Sequence, residues 1–256
     1  MIIDAHGHIS NASYGSTEQY LEIHEKAGIS HGVVVPGGTV DVRRMSDYIS
    51  GKIKPDNLVP NNDYVAHSCE TYKGRITGFA MIDPHADDAL GDLEQRFKTG
   101  FRGLKLSPMT HQFSFASRAV AELVSLCGDF NYPVYSHVVY NPGPSTSKYI
   151  ALAKQFPKTN FILGHMGFGP ADQEGLEAAV HMDNFFLETS SGSFLHIKES
   201  VKKAGASKII FGSEYPLSHP QVELTKIMLL QITDDERDKI LGLNIKNLLR
   251  LSFPNN

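Results

Sequence analysis

The chain has 256 residues, 41% of them hydrophobic and 20% charged, a balance suited to a folded core of one or two domains. A formal net charge of −4 speaks against a nucleic-acid surface, and no apolar run approaches the length of a membrane span. Two cysteines are too few for a disulfide framework, which points to a reducing, cytoplasmic setting.

The sequence opens directly on the strand-like Met1-Ile2-Ile3, so no secretory leader is expected. Short apolar, β-branched or aromatic runs then recur at 2–4, 32–35, 76–82, 103–106, 133–136, 160–163, 184–187 and 208–211. These eight runs are spaced about 30 residues apart, the length of one strand–helix unit. Helical patterns lie between them. Ser16 and Gln19 suit a capping box before Tyr20 and Ile23, with Gly28 placed as the C-terminal cap. Leu90, Leu93 and Phe97 fall on one helical face over 86–98, and Val120, Leu123, Val124 and Cys127 over 115–127. Thr233 and Glu236 open a final helix carrying Ile240, Ile245, Leu248 and Leu249.

Strands that alternate with helices pair in parallel, since each return crossover needs a helix. Runs that are apolar throughout suit strands buried on both faces. Eight such units close most simply into an α/β fold of the (β/α)8 TIM-barrel kind, here one domain over 1–256. An open doubly wound sheet is the alternative. The glycines of Gly164-His165-Met166-Gly167-Phe168-Gly169 do not match its nucleotide fingerprint. The segment 36–60 is the long irregular exception, followed by a helical 61–72. After the second strand it would lie over the C-terminal mouth of a barrel as a lid.

Asp4, His6 and His8 alternate at the end of the first run. Strand residues two apart project from one face, so two imidazoles so placed can converge on a single ion. Twelve histidines make His-x-His common by chance, and the pair alone is a weak signal. The position of the other polar residues strengthens it. His137, His165 and Glu214 each follow an apolar run, at the ends of the fifth, sixth and eighth. That is the face where barrel active sites are built. Arg43 and Arg44 in the long segment could clamp a substrate carboxylate or simply be solvated. Ser190, Ser191 and Ser193 could contact substrate or make the turn after the seventh run. His111, His196 and His219 are expected on exposed mouth loops.

With these motifs in view, the chain resembles the amidohydrolase superfamily. It is most similar to the amidohydrolase-related branch that includes aminocarboxymuconate-semialdehyde decarboxylase, resorcylate decarboxylases and pyrone-dicarboxylate lactonases. The likeness runs through Asp4-Ala5-His6-Gly7-His8, Ala27-Gly28-Ile29, Arg75-Ile76-Thr77-Gly78-Phe79, Gly103-Leu104-Lys105-Leu106, Ser136-His137, Gly164-His165-Met166-Gly167 and Gly212-Ser213-Glu214-Tyr215-Pro216. The resemblance implies one divalent metal ion, zinc or manganese, held by His6, His8, His137 and Glu214. His165 and Glu214 would then manage the protons of a metal-bound water that attacks an ester, lactone or amide of a small carboxylated substrate. Carboxy-lyase or hydratase chemistry at the same centre stays open, as does a non-catalytic ligand-binding barrel. The family normally carries aspartate where Glu214 stands, although hydratases of the branch place glutamate there. The extra methylene displaces the carboxylate by about 1.5 Å, so Glu214 either ligates from a slightly retracted strand or serves as acid/base without binding metal. Lys105 occupies the position of the bridging carbamylated lysine of binuclear relatives; here a supporting or substrate-carboxylate role is expected. Members of the branch are often dimers, which leaves a homodimer open.

Overall fold

The computed structural model describes residues 1–55, 58–140 and 143–253. Among the described residues nine strands run parallel: β1 Ile3–Ile9, β2 His31–Pro36, β3 Ile76–Gly78, β4 Ala80–Met81, β5 Leu104–Leu106, β6 Val134–Ser136, β7 Phe161–Leu163, β8 Phe185–Glu188 and β9 Ile209–Ile210. They pair in sequence order, β1 to β3 in one ladder and β4 to β9 in another. β3 and β4 are halves of the single expected run 76–82. Phe79 N still donates to Val34 O of β2, while Ala80 N turns to Gly103 O beside β5 (both 2.9 Å). At the opposite seam Ala5 N donates to Phe211 O (3.0 Å) and Glu214 N to His6 O (2.7 Å), joining the segment after β9 to β1. The eight expected runs therefore form a closed α/β TIM barrel, each followed by a helix, from Thr17–Lys26 after β1 to Pro220–Met228 after β9.

Alternation along the strands divides the core. Val33, Val35, Phe79, Met81, Tyr135, Ile162 and Ile210 point into the barrel, where Ile245 and Leu249 of the C-terminal helical segment join them. Val34, Leu104, Leu106, Val134, Phe161 and Leu163 point outward to the helices. This is the two-residue period of a strand filling both faces of a closed sheet. The side chains that enter the site are thus inward-facing residues at the C-terminal strand ends.

Three expectations change in detail. The final helix is interrupted by a π-turn at Lys239–Leu243 between Asp234–Asp238 and Asn244–Leu248. The segment 36–60 is not wholly irregular: it contains a 3-10 turn at Val42–Arg44 and a short helix at Met45–Ile49, while its residues 56 and 57 lie outside the described residues. It is tied down by Gly37 N donating to Ile9 O (2.7 Å) and by His111 Nε2, 3.0 Å from Leu58 O. His111 and His196 are buried, not exposed.

Candidate metal centre

β1 carries the first histidines. Its pairing with β2 slips between Asp4 and Gly7, and the slip lies beneath His6. The two rings converge, with His6 Nε2 and His8 Nε2 3.1 Å apart. Gly7 between them has a steric reason: a Cβ there would lie 2.5 Å from the Tyr20 ring packed underneath.

The remaining donors arrive from across the barrel. His137 follows β6 and stacks on His165, which follows β7, with ring centroids 4.8 Å apart. Glu214 follows β9 and places Oε2 2.5 Å from His6 Nδ1 and 3.8 Å from His165 Nε2, and Oε1 3.5 Å from His8 Nε2. Both His165 and Glu214 have positive φ, at 58° and 57°. Such a conformation is costly for residues with a side chain and clusters at functional sites.

One ligand atom from each of His6, His137, His165 and Glu214 lies within 4.8 Å of the others. His8 is outside that group of four but adjoins two of its members. Although Glu214 Oε2 is within ion-pair distance of His6, the contact lacks hydrogen-bond alignment, and the buried oxygen has no hydrogen-bond partner. Orphaned buried carboxylate oxygens are costly. Imidazole nitrogens converging with such an oxygen form the donor set that a borderline divalent cation prefers. The residues fit a metal ion.

The protonation pattern suits that reading. Burial, the largest influence, pulls the His6 pKa down, but the Glu214 and Glu188 carboxylates together outweigh it and raise the value. At His8, His137 and His165 burial prevails and lowers the pKa, so these rings stay neutral with lone pairs available. Burial would raise Glu214, yet the surrounding imidazoles, His6 foremost, hold it well below the carboxylate range.

Lys105 on β5 is completely buried. Its Nζ stands 3.0 Å from His6 Nε2, 2.8 Å from His137 Nε2 and 3.9 Å above the Tyr135 ring. Burial pushes its amine down to about 7. Lys105 thus lies inside the barrel among the histidines. Arg43 and Arg44 are elsewhere. Arg43 is engaged with Asp41 through Nε and Nη2 (2.9 and 2.8 Å) and stacks on Tyr14; Arg44 Nε is 3.6 Å from Asp47. No hydrogen bond or ion pair among the described residues joins either arginine to the histidine cluster.

Two participants were not identified from the sequence. Glu188 closes β8 and is fully buried. Its Oε2 accepts from Tyr135 O–H (2.7 Å), Ser190 O–H (2.8 Å) and His165 N–H (3.2 Å), and its Oε1 from Ser190 N–H (2.5 Å). Burial would raise its pKa, but hydrogen bonding and charge from His6, together with His165 and Tyr135, hold it down to about 2. Glu188 directly follows the seventh apolar run, the placement that singled out His137, His165 and Glu214. Tyr135 reads as one more apolar residue of a strand, and nothing local marks it.

A sequence model of the amidohydrolase family matches residues 3–251. No curated protein matches the chain in sequence. Among solved structures, an uncharacterised TIM-barrel protein from Bordetella bronchiseptica is similar with TM-score 0.78 at 18% identity, covering 97% of this chain and 98% of its own. A probable 2-pyrone-4,6-dicarboxylic acid hydrolase from Acinetobacter baumannii, with citric acid bound, has TM-score 0.70 at 14% identity over 98% and 99%. A dihydroxybenzoic acid decarboxylase from Polaromonas sp. JS666, with manganese and 2-nitroresorcinol bound, has TM-score 0.70 at 17% identity over 97% and 96%. At these identities the structures bear on the fold, while the sequence match spans nearly the whole chain. The chain belongs to the amidohydrolase family of enzymes.

Proposed function

We propose that this protein is a mononuclear metal-dependent hydrolase acting on an ester, lactone or amide of a small carboxylated molecule. The observation that carries the reading is the convergence of His6, His137, His165 and Glu214 donor atoms within 4.8 Å, with Glu214 Oε2 orphaned. In this reading His6, His8, His137 and Glu214 hold the ion, zinc or manganese. A divalent cation so held supplies the charge that lowers the pKa of water toward neutrality and polarises a substrate oxygen.

The chain's own groups handle protons and orientation. His165 donates Nδ1–H toward Ser190 Oγ (3.0 Å) and O (3.2 Å), leaving Nε2 as the acceptor that faces Glu214. A neutral ring in that tautomer can take up a proton and return it. Glu214, held ionised, is the second acceptor. The segment 36–60 serves as the lid, and Arg43 and Arg44 reach a substrate carboxylate by exchanging Asp41 and Asp47 for it. Lys105 supports the ligands from below. The free cysteines Cys69 and Cys127 suit a reducing compartment, and no helix among the described residues is long and apolar enough to cross a membrane.

A second reading keeps the centre and changes the reaction to non-oxidative decarboxylation, favoured by the manganese-bound decarboxylase of the same fold. A screen of the metal-loaded protein against lactones, esters and amides of aromatic and muconate-type acids, and against the free acids, separates the two. Hydrolysis products support the first reading and carbon dioxide release the second. Neither product from a protein that binds metal would leave a non-catalytic barrel.

A further inference from the structure

The carboxylate of Glu188 is fully buried, and it lies behind two of the five central side chains. Tyr135 O–H donates to Glu188 Oε2, so the Tyr135 oxygen is left to accept from His6 Nδ1, 2.7 Å away. Ser190 O–H likewise donates to Glu188, which leaves its oxygen to accept from His165 Nδ1 at 3.0 Å. A carboxylate can only accept, and each hydroxyl has one proton to give. The direction of both chains follows from the anion at their common end. At His6 the Glu214 carboxylate, 2.5 Å from the same Nδ1, favours the same tautomer, and each ring turns its Nε2 lone pair inward.

Space for this arrangement is made by two glycines. A Cβ on Gly212 would lie 2.2 Å from Glu188 Oε1, and one on Gly164 2.6 Å from the Tyr135 hydroxyl. The space that side chains just after β7 and β9 would fill is given over to Tyr135 and Glu188.

We propose that Glu188 is a positioning residue that orients and polarises His6 through the Tyr135 hydroxyl and His165 through Ser190. This rests on the assignment of His6 as a ligand and His165 as a proton acceptor. A carboxylate behind a ligating histidine fixes its tautomer and raises its basicity, and loss of such a partner costs about 10–100-fold in metal affinity. Linked hydrogen bonds ending on a charge strengthen one another.

The test uses imidazole proton–nitrogen spectra of the metal-free full chain, in which buried Nδ1–H groups exchange slowly. In E188Q the Nδ1–H signals of both His6 and His165 should move and exchange about tenfold faster, because a neutral acceptor replaces a charged one. In Y135F the His6 signal should change while that of His165 stays. Competition titration with zinc should then show the 10–100-fold loss for both variants, with the double variant no worse than the weaker single one, as one chain of influence requires. Unmoved His6 and His165 signals in E188Q would overturn the proposal, and so would equal disturbance of both rings in Y135F, the mark of general loosening. If the wild-type chain bound no zinc, the assigned metal centre would fail, while the metal-free spectra would still decide on Glu188.

Discussion

Asp4 and Ser213 are joined across the seam that closes the barrel: Ser213 N donates to Asp4 Oδ1 at 2.8 Å and Ser213 Oγ to Asp4 Oδ2 at 2.5 Å. Asp4 lies two residues before His6, and Ser213 immediately precedes Glu214. His6 N–H (3.1 Å), His24 Nε2 (2.9 Å) and Tyr20 O–H (3.4 Å) also surround the same carboxylate, which is wholly buried. The Asp4–Ser213 link therefore holds the first and last elements of the centre together.

Replacing Asp4 by alanine strands several buried donors at once. Urea unfolding of Asp4→Ala should show a loss of about 2–4 kcal/mol, with weakened metal binding as the Glu214 segment loosens. Lys26→Ala, which breaks an exposed pair with Glu22, should leave the unfolding midpoint essentially unchanged. Equal effects of the two would contradict the role assigned to Asp4.

Gly7→Ala forces a methyl group against Tyr20, and overpacking of this kind costs about 1–3 kcal/mol. Adding Tyr20→Leu should recover part of that loss, since the obstructing ring is gone, although Tyr20→Leu alone is destabilising. Thermal denaturation of the two single variants and the double variant reads the coupling. Strict additivity would mean that the close approach does not exist in solution.

The proposed function gives different roles to His8, outside the group of four donors, and His165, within it. His8→Ala should lose bound metal, whereas His165→Ala should keep close to one equivalent and lose about 100-fold or more in turnover, the scale of a lost acid–base group. Metal content by elemental analysis and kcat on any substrate found by the screen decide the matter. Metal retained in His8→Ala and lost in His165→Ala would exchange the two assignments.

Lys105 gives metal binding a pH dependence of defined sign. Its Nζ faces the Nε2 atoms of His6 and His137, and burial holds the amine at about 7. Below that value an ammonium competes with a cation for the same nitrogens; above it the competition fades. Affinity should rise by about tenfold between pH 6 and pH 8 from this group alone. The raised pKa of His6 adds in the same direction. Lys105→Met should bind more tightly at pH 6 and show a flatter profile. An unchanged slope would remove Lys105 from the centre's electrostatics.

The fold was legible because closed parallel sheets write themselves as recurring apolar runs, and all eight runs correspond to barrel strands. The third is split since its two halves bond to different neighbours, a tertiary fact that no local pattern carries. The mouth residues His137, His165 and Glu214 were visible as polar residues ending apolar runs. The same rule applied at the seventh run points to Glu188. Tyr135 was hidden because an inward-facing tyrosine on a strand looks like core, and only Gly164 beside it explains where its hydroxyl fits. His111 and His196 were expected on exposed loops, but the short helix Pro108–His111 and the first turn of the helix Phe194–Ala204 fold them inward. Arg43 illustrates the limit of residue chemistry: a free fork in the sequence is engaged by Asp41 two residues away in the structure.

The most direct measurement is the divalent metal content of the wild-type chain and of His6→Ala and His137→Ala, purified without chelators and analysed after zinc or manganese loading. A single-ion centre gives about one equivalent in the wild type and none in either variant. Absence of bound ion from the wild type, or its retention in both variants, would show that these side chains do not form the centre. Two ions with a carboxylated Lys105 would show a binuclear centre in its place.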